Sequence, residues 1–187
     1  MPGSVIGISM GLGFLGQFAR NGDYVVRGDR PVQGTDASGI TFGSPVFFNT
    51  NDTVSSLSQF QANSHTPTIN NFAGIAIREV HTMEVFIQSG NSGPTIASYQ
   101  PNQACDVLKR GCIIVQFQSA VSSTATAGGA VYLRIALNGT YPSAVVGGFE
   151  SAADGGNTLA LTNCQFFTGL IDANNLVEIE ILNIQNA

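Results

Sequence analysis

The chain has 187 residues, enough for one domain with a substantial buried core, and carries a net charge of −5 with only seven Lys and Arg residues. Those cations are spread along the chain and form no basic cluster, which argues against nucleic acid as a partner. Charged residues make up only 10% of the chain, which is typical of a protein whose surface is partly covered in an assembly. No secretion signal and no apolar run near 18 residues is visible, so we expect no membrane partner.

The first 20 residues differ from the rest of the chain. They are rich in glycine, which leaves too little apolar surface for the segment to order itself, yet they contain the apolar side chains Phe14, Leu15 and Phe18. We therefore predict a Gly-rich extended N-terminal arm over residues 1–20 that docks on a neighbouring molecule.

The remainder, residues 21–187, shows the alternation of apolar and polar residues that predicts β-strands. Strands are predicted at 23–27, 45–49, 72–88, 112–118, 130–138, 165–170 and 176–184, with one helical turn at 55–62. Gly74 interrupts the third strand and predicts a bulge or a close backbone approach. Residues 88–103 read as a long loop that could divide the domain. The fold class predicted is all-β, an antiparallel β-sandwich or barrel.

The alternation also assigns side chains to the faces of two strands. In 130–138, Val131 and Leu133 lie on the face that packs on the core, and Arg134 lies on the opposite face. In 176–184, Glu178 and Glu180 are predicted to point outward, as a solvated face that discourages edge-to-edge pairing.

Gly11, Gly13 and Gly16 match the G-x-G-x-x-G pattern that binds a dinucleotide pyrophosphate where a strand leads into a helix. The sequence Asn-Gly-Asp at 21–23 ends any such helix after four residues, and no βαβ alternation follows. Asp36, at the spacing of a ribose-binding acid, falls in a Gly/Thr/Ser loop. We therefore predict no cofactor.

Two further patterns suggest catalysis or metal binding, but the residues that such sites also require are missing. Ser92 lies in a G-x-S-G setting, but the only histidines, His65 and His81, are too close to it in sequence for a chymotrypsin-like base. The two histidines form no recognisable ligand set with the cysteines. We predict no catalytic and no metal-binding residues, hence no enzyme.

Cysteines are three in number, at unrelated spacings: Cys105, Cys112 and Cys164. An odd number without zinc-ligand spacing predicts buried, reduced thiols.

Several segments of the sequence resemble the structural cement, or capsid decoration, proteins of tailed bacteriophages. They lie at 22–27, 42–47, 72–80, 106–111, 128–134 and 147–156. The resemblance covers most of the chain from about residue 20 and implies a β-rich protein on the outside of an icosahedral head. It further implies that the protein forms trimers that brace the major capsid protein. Before assembly the protein is expected in the host cytoplasm, and the family has no catalytic residues.

Six residues are candidates for the protein interface that this resemblance implies: Phe14, Leu15, Phe18, Arg20, Arg27 and Arg30. Aromatic residues and arginine are common anchors of interfaces. The aromatic residues could instead pack on the chain's own β-domain, and the arginines could serve solubility alone. Two other virion roles stay open, namely a glycan- or receptor-binding protein and a tail or head–tail joining protein; the absence of Trp disfavours the first.

Overall fold

A computed structural model of the chain describes residues 12–19, 23–78 and 98–183. Those residues form an almost entirely β-structure. The strands are β1 (Val25–Pro31), β2 (Ile40–Thr41), β3 (Pro45–Phe48), β4 (Val54–Ser56), β5 (Phe72–Ala76), β6 (Ser98–Tyr99), β7 (Ala104–Gln116), β8 (Ala130–Arg134), β9 (Phe149–Glu150), β10 (Thr158–Ile171) and β11 (Leu176–Ile181). The α-helix of the described residues is α1 (Leu57–Ala62), and two 3₁₀ turns lie at Thr50–Asp52 and Gly155–Asn157.

Nine strands form one curled antiparallel sheet, a half-barrel. Its order is β4-β3-β5-β7-β11-β10-β8-β9, with β1 also paired to β7, and a separate two-stranded sheet joins β2 to β6. The all-β antiparallel prediction is thereby confirmed. The long strands β7 and β10 bend as they follow the curvature, since register shifts occur in the pairings of β1 with β7 and of β10 with β8 and β11.

Apolar side chains pack into two cores. The larger core lies inside the half-barrel and includes Phe47, Phe72 and Phe166, all at most 1% exposed. The smaller core surrounds Tyr99, whose hydroxyl donates to the carbonyl of Ile77 at 2.9 Å. Full burial of each such aromatic side chain is worth about 1.5–3 kcal/mol.

Most predicted strands are found. Those at 45–49, 112–118, 165–170 and 176–184 correspond to β3, the second half of β7, part of β10 and β11. The predicted helical turn at 55–62 is α1, whose N-cap residue Ser56 accepts a hydrogen bond from the backbone of Gln59. The predicted strand 72–88 begins as β5, and its residues 79–88 lie outside the described residues.

Gly74 permits β5 to approach β7. Its φ is +138°, and a Cβ added there would lie 2.1 Å from the carbonyl oxygen of Leu108. The predicted close backbone approach is confirmed.

The predicted strand at 130–138 is shorter than expected and its outer face is covered. β8 ends at Arg134, and Arg134 is 0% exposed. β9 pairs with β8 in the same sheet, and Glu150 on β9 and Asp154 beyond it bind the guanidinium, so the side chain is enclosed by carboxylates rather than by solvent.

Glu178 is also buried, at 2% exposure, which corrects the prediction of an outward, solvated side chain. It lies opposite Ile114 of β7, and paired residues of neighbouring strands share a face. The segment 12–19 crosses that face, since a Cβ at Gly13 would lie 3.0 Å from Ile114 Cδ1. Glu180, two residues further on, is half-buried and accepts a hydrogen bond from Gln165 Nε2 at 2.8 Å.

Candidate protein interface

The described part of the predicted arm, residues 12–19, lies along β7 of the same chain. The Gly16 N–H donates to the carbonyl of Ile114 at 2.9 Å, the Ile114 N–H donates to Gln17 O at 3.1 Å, and the Ala19 N–H donates to Cys112 O at 3.2 Å. These bonds extend the sheet by one short strand-like segment and fix its backbone. Residues 1–11 and 20 lie outside the described residues.

Gly16 holds this segment at its closest approach to the sheet. Its φ is +73°, and a Cβ there would lie 2.9–3.0 Å from backbone atoms of Gly43, Ala76 and Arg78. The Arg78 N–H donates to the Gly16 carbonyl at 2.8 Å. The last glycine of the G-x-G-x-x-G match therefore serves packing within the chain, and no helix follows it in the described residues up to 19.

Two aromatic side chains project from this fixed backbone. Phe14 is 63% exposed, and the Arg78 guanidinium lies 4.5 Å from the centre of its ring. Phe18 is 38% exposed, with its ring centre 4.5 Å from that of Tyr24. Exposed aromatic rings held on an ordered backbone lose little entropy on binding, so they are suited to a protein interface.

Leu15, between the two, is half-buried and lines a groove of about 370 Å³ on the same part of the surface. The groove has no charged residue in its lining, which consists of Leu15, Thr41, Phe42, Gly43, Ser44, Gln116, Gln118, Val145, Val146, Gly147, Gly148 and Phe149. Val145, one of these residues, is 55% exposed. The groove therefore adds an uncharged, partly apolar surface to that of the segment 12–19.

Of the predicted arginines, Arg27 and Arg30 lie on β1, which pairs with the first half of β7, and Arg20 lies outside the described residues. Arg27 and Arg30 pair in register with Val107 and Cys105, whereas Phe18 bridges to Ile113. Arg27 is exposed, and Arg30 forms an ion pair of 2.8 Å with Asp52. The structure thus brings the apolar candidates together near one end of β7 and sets Arg27 and Arg30 along the other half.

The structure contains a buried ion cluster at the base of the β8–β9 loop that the sequence did not predict. Arg134 donates from Nε and Nη2 to the two carboxylate oxygens of Glu150, both at 2.8 Å, and from Nη1 to Asp154. The hydrogen bonds that Arg134 donates to Glu150 raise the pKa of its guanidinium above its already high value. The signal in the sequence was an arginine inside an alternating strand of a chain with few charges.

Asp36 and His65, which belonged to the rejected cofactor, catalytic and metal patterns, make contacts within the chain instead. Asp36 is buried and its carboxylate accepts the N–H of Ser56 at 2.7 Å, and the His65 ring stacks near Phe60 at 4.9 Å between centres. His81 and Ser92 lie outside the described residues. Within the described ranges, no group of three or more His, Cys, Asp or Glu side chains could hold a metal ion.

The three cysteines are buried and free, as predicted. Burial raises the pKa of the Cys164 thiol to about 12 and that of Cys105 further still, with Asp106 contributing to the latter. Thiols held protonated in this way are poor nucleophiles. Helices long and apolar enough to cross a bilayer are not found in the described portion of the chain.

Comparison with known proteins gives this fold a family. The family model described as "Structural cement protein (E217 gp24/Pam3 gp6)" matches residues 1–182. No curated protein matches the chain. A solved structure, the capsid of Myoviridae Phage XM1, contains a chain 18% identical to this one, with 96% of each chain covered and a TM-score of 0.60, so the two share a fold. The chain therefore belongs to the structural cement protein family and is a capsid-associated structural protein of a phage virion.

Proposed function

We propose that this protein stabilises the capsid by binding its outer surface across neighbouring subunits of the major capsid protein, with the segment 12–19 as a principal contact. The observation that supports this most directly is Phe14, which is 63% exposed on a backbone fixed by hydrogen bonds to β7. Together with Phe18 and the uncharged groove beside Leu15, this ring forms an exposed apolar patch, which is typical of a protein interface.

Cement action follows from mass action. A protein that binds the assembled lattice and not its separated subunits lowers the free energy of the lattice alone. We further propose that the chain acts as a homotrimer, because the second and third contacts of a trimer on the lattice are intramolecular and raise the avidity. Catalysis, nucleic acid and membranes have no part in this function, and before assembly the protein resides in the host cytoplasm.

Binding to capsids that lack this protein tests the proposal. Truncation of an interface hot spot costs at least about 2 kcal/mol, so we expect Phe14→Ala and Phe18→Ala each to weaken co-sedimentation by roughly 30-fold and to lower the temperature at which capsids open. Leu170→Ala is the matched control, because Leu170 is 61% exposed and lies outside this segment. Equal binding by all three variants would refute the assigned contact.

Location and stoichiometry separate cement from the other virion roles. We expect copies distributed over the whole head in electron micrographs, and a solution mass of three times 19.5 kDa by light scattering. A ring of few copies at the neck or tail would instead support a tail or head–tail role, and binding to host glycans without binding to capsids would support a receptor role. Labelling of Ser92 by a fluorophosphonate probe would contradict the non-enzymatic assignment.

A further inference from the structure

The loop between β8 and β9 contains an Asn–Gly pair whose side-chain amide is tied to the buried ion cluster. Asn138 Oδ1 accepts the N–H groups of Thr140 at 3.1 Å and Tyr141 at 3.0 Å. Asn138 Nδ2 donates to Asp154 Oδ2 at 2.6 Å, and that same carboxylate binds Arg134. One amide therefore connects the loop to the cluster beneath it.

We propose that Asn138 is a site of spontaneous deamidation, and that the bond to Asp154 controls its rate. The backbone nitrogen of Gly139 attacks Cγ of Asn138, its proton leaves with the side-chain nitrogen as ammonia, and a succinimide forms. Water then opens this ring to aspartate or isoaspartate, so no other reactant is needed. Gly139 is exposed, and a Cβ at this position would meet no atom within 4 Å, so this residue lies in open space and carries no side chain that could shield its nitrogen.

The native contacts oppose this attack. Cγ is held by three hydrogen bonds, one of them to a carboxylate, and these must break before the side chain can turn toward the Gly139 nitrogen. The reaction therefore proceeds from locally opened loops, and its rate follows the fraction of time that the loop is open.

Deamidation then changes the electrostatics of the cluster. The new carboxylate replaces a donor 2.6 Å from Asp154 Oδ2 and meets a like charge instead. Among the described residues facing this point, Arg134 is the cation, and its guanidinium already binds both Glu150 and Asp154. The repulsion is relieved by opening of the loop, so each conversion loosens the segment 135–148.

Peptide mapping of the intact chain tests the site. During incubation at mildly alkaline pH, we expect a gain of one dalton at Asn138 that proceeds about tenfold more slowly in the folded chain than in urea, because the hydrogen bonds to the amide must first open. Asn71, which a phenylalanine follows, is the internal reference and should convert far less. No gain at Asn138 in the folded chain, or equal rates in the folded and unfolded chains, would overturn the proposal.

The variant Asn138→Asp tests the consequence, since it keeps the Oδ1 acceptor and only exchanges the amide for a carboxylate. We expect hydrogen exchange at the Thr140 and Tyr141 amides to accelerate about tenfold. Asn71→Asp is the matched control: Asn71 also accepts a backbone N–H, from Thr68, but its Nδ2 donates to a neutral carbonyl, that of Thr66. Unchanged exchange in Asn138→Asp would show that the loop does not depend on this amide.

Discussion

Replacing Glu150 by glutamine tests whether the buried ion cluster stabilises the fold. Both Arg134 and Glu150 are 0% exposed and share two hydrogen bonds of 2.8 Å. Glutamine keeps the size of the side chain and one acceptor, but it leaves the buried guanidinium with Asp154 as its charged partner in the described structure. Loss of one partner from a buried pair costs about 3–5 kcal/mol. Asp154 keeps its bond to Arg134, so we expect the lower end of that range, about 3 kcal/mol.

Thermal and urea unfolding followed by circular dichroism measure this loss. For a chain of this length, each kcal/mol shifts Tm by roughly 2–4 °C, so Glu150→Gln should lower Tm by about 6–12 °C. Glu180→Gln is the matched control, because Glu180 also lies in a strand but is half-buried and bonded to Gln165. We expect a loss below about 1 kcal/mol for the control. Equal small losses in the two variants would refute the role given to the cluster.

The triple variant Arg134→Met, Glu150→Leu and Asp154→Asn removes every charge of the cluster, so it separates stabilisation from the penalty of a charge left without its partner. Replacement of a whole buried ion cluster by uncharged side chains is often neutral or stabilising, whereas removal of one member is not. We therefore expect the triple variant to be more stable than Glu150→Gln, even though it deletes more hydrogen bonds. The reverse order would mean that the surrounding backbone requires the guanidinium itself.

Two other positions give sharp expectations. Gly16→Ala should release the segment 12–19 and speed hydrogen exchange of the Ile114 amide, because a Cβ would meet three backbone atoms within 3.0 Å. Gly128→Ala is the control, since Gly128 has the same φ of +73° but lies in open space, and it should leave the Ile114 amide protected. Cys164 has its pKa raised from 9.0 to about 12 by burial, so its stabilising contribution should be complete below pH 9 and be lost as the pH rises from about 9 toward 12. Unfolding at rising pH, compared between the wild type and Cys164→Ala, measures this, and parallel pH curves for the two proteins would contradict it.

Local sequence patterns were sufficient to predict individual strands. The alternation in 176–184 located β11, and the helical turn predicted at 55–62 is α1, because both features are set by residues close in sequence. Gly74 likewise marked a close backbone approach through its missing side chain. Each of these signals lies within a few residues of the chain, although the backbone that Gly74 admits is that of Leu108 in a distant strand.

The burial of Arg134 and Glu178 could not be predicted in the same way. Alternation shows which side chains share a face of a strand, but it does not show what covers that face. Arg134 is covered by residues 16 and 20 positions later, and the Ile114 side of β7 is approached by Gly13, about 100 residues earlier. These are long-range contacts, and they set the position of Phe14 and Phe18 as well.

The charges of the described chain are largely engaged within the chain itself. Arg30 pairs with Asp52, Arg110 with Asp23, and Arg134 with its two carboxylates. The Arg78 guanidinium lies over the Phe14 ring, and Lys109 Nζ lies 4.0 Å from the centre of the Phe48 ring. Few cations of the described residues therefore remain to attract a partner, whereas apolar area is exposed at the segment 12–19 and along the uncharged groove.

If apolar burial dominates the proposed binding to capsids, that binding should depend weakly on salt. Screening at high ionic strength weakens contacts between exposed charges but leaves apolar burial intact or slightly stronger. We expect co-sedimentation with capsids to change less than about threefold between dilute buffer and molar salt, and Arg27→Ala to bind nearly as the wild type does. A different result would assign the binding energy to Arg27 and the rest of β1 instead: binding that falls steeply with salt in the wild type and in Phe14→Ala, but does not depend on salt in Arg27→Ala.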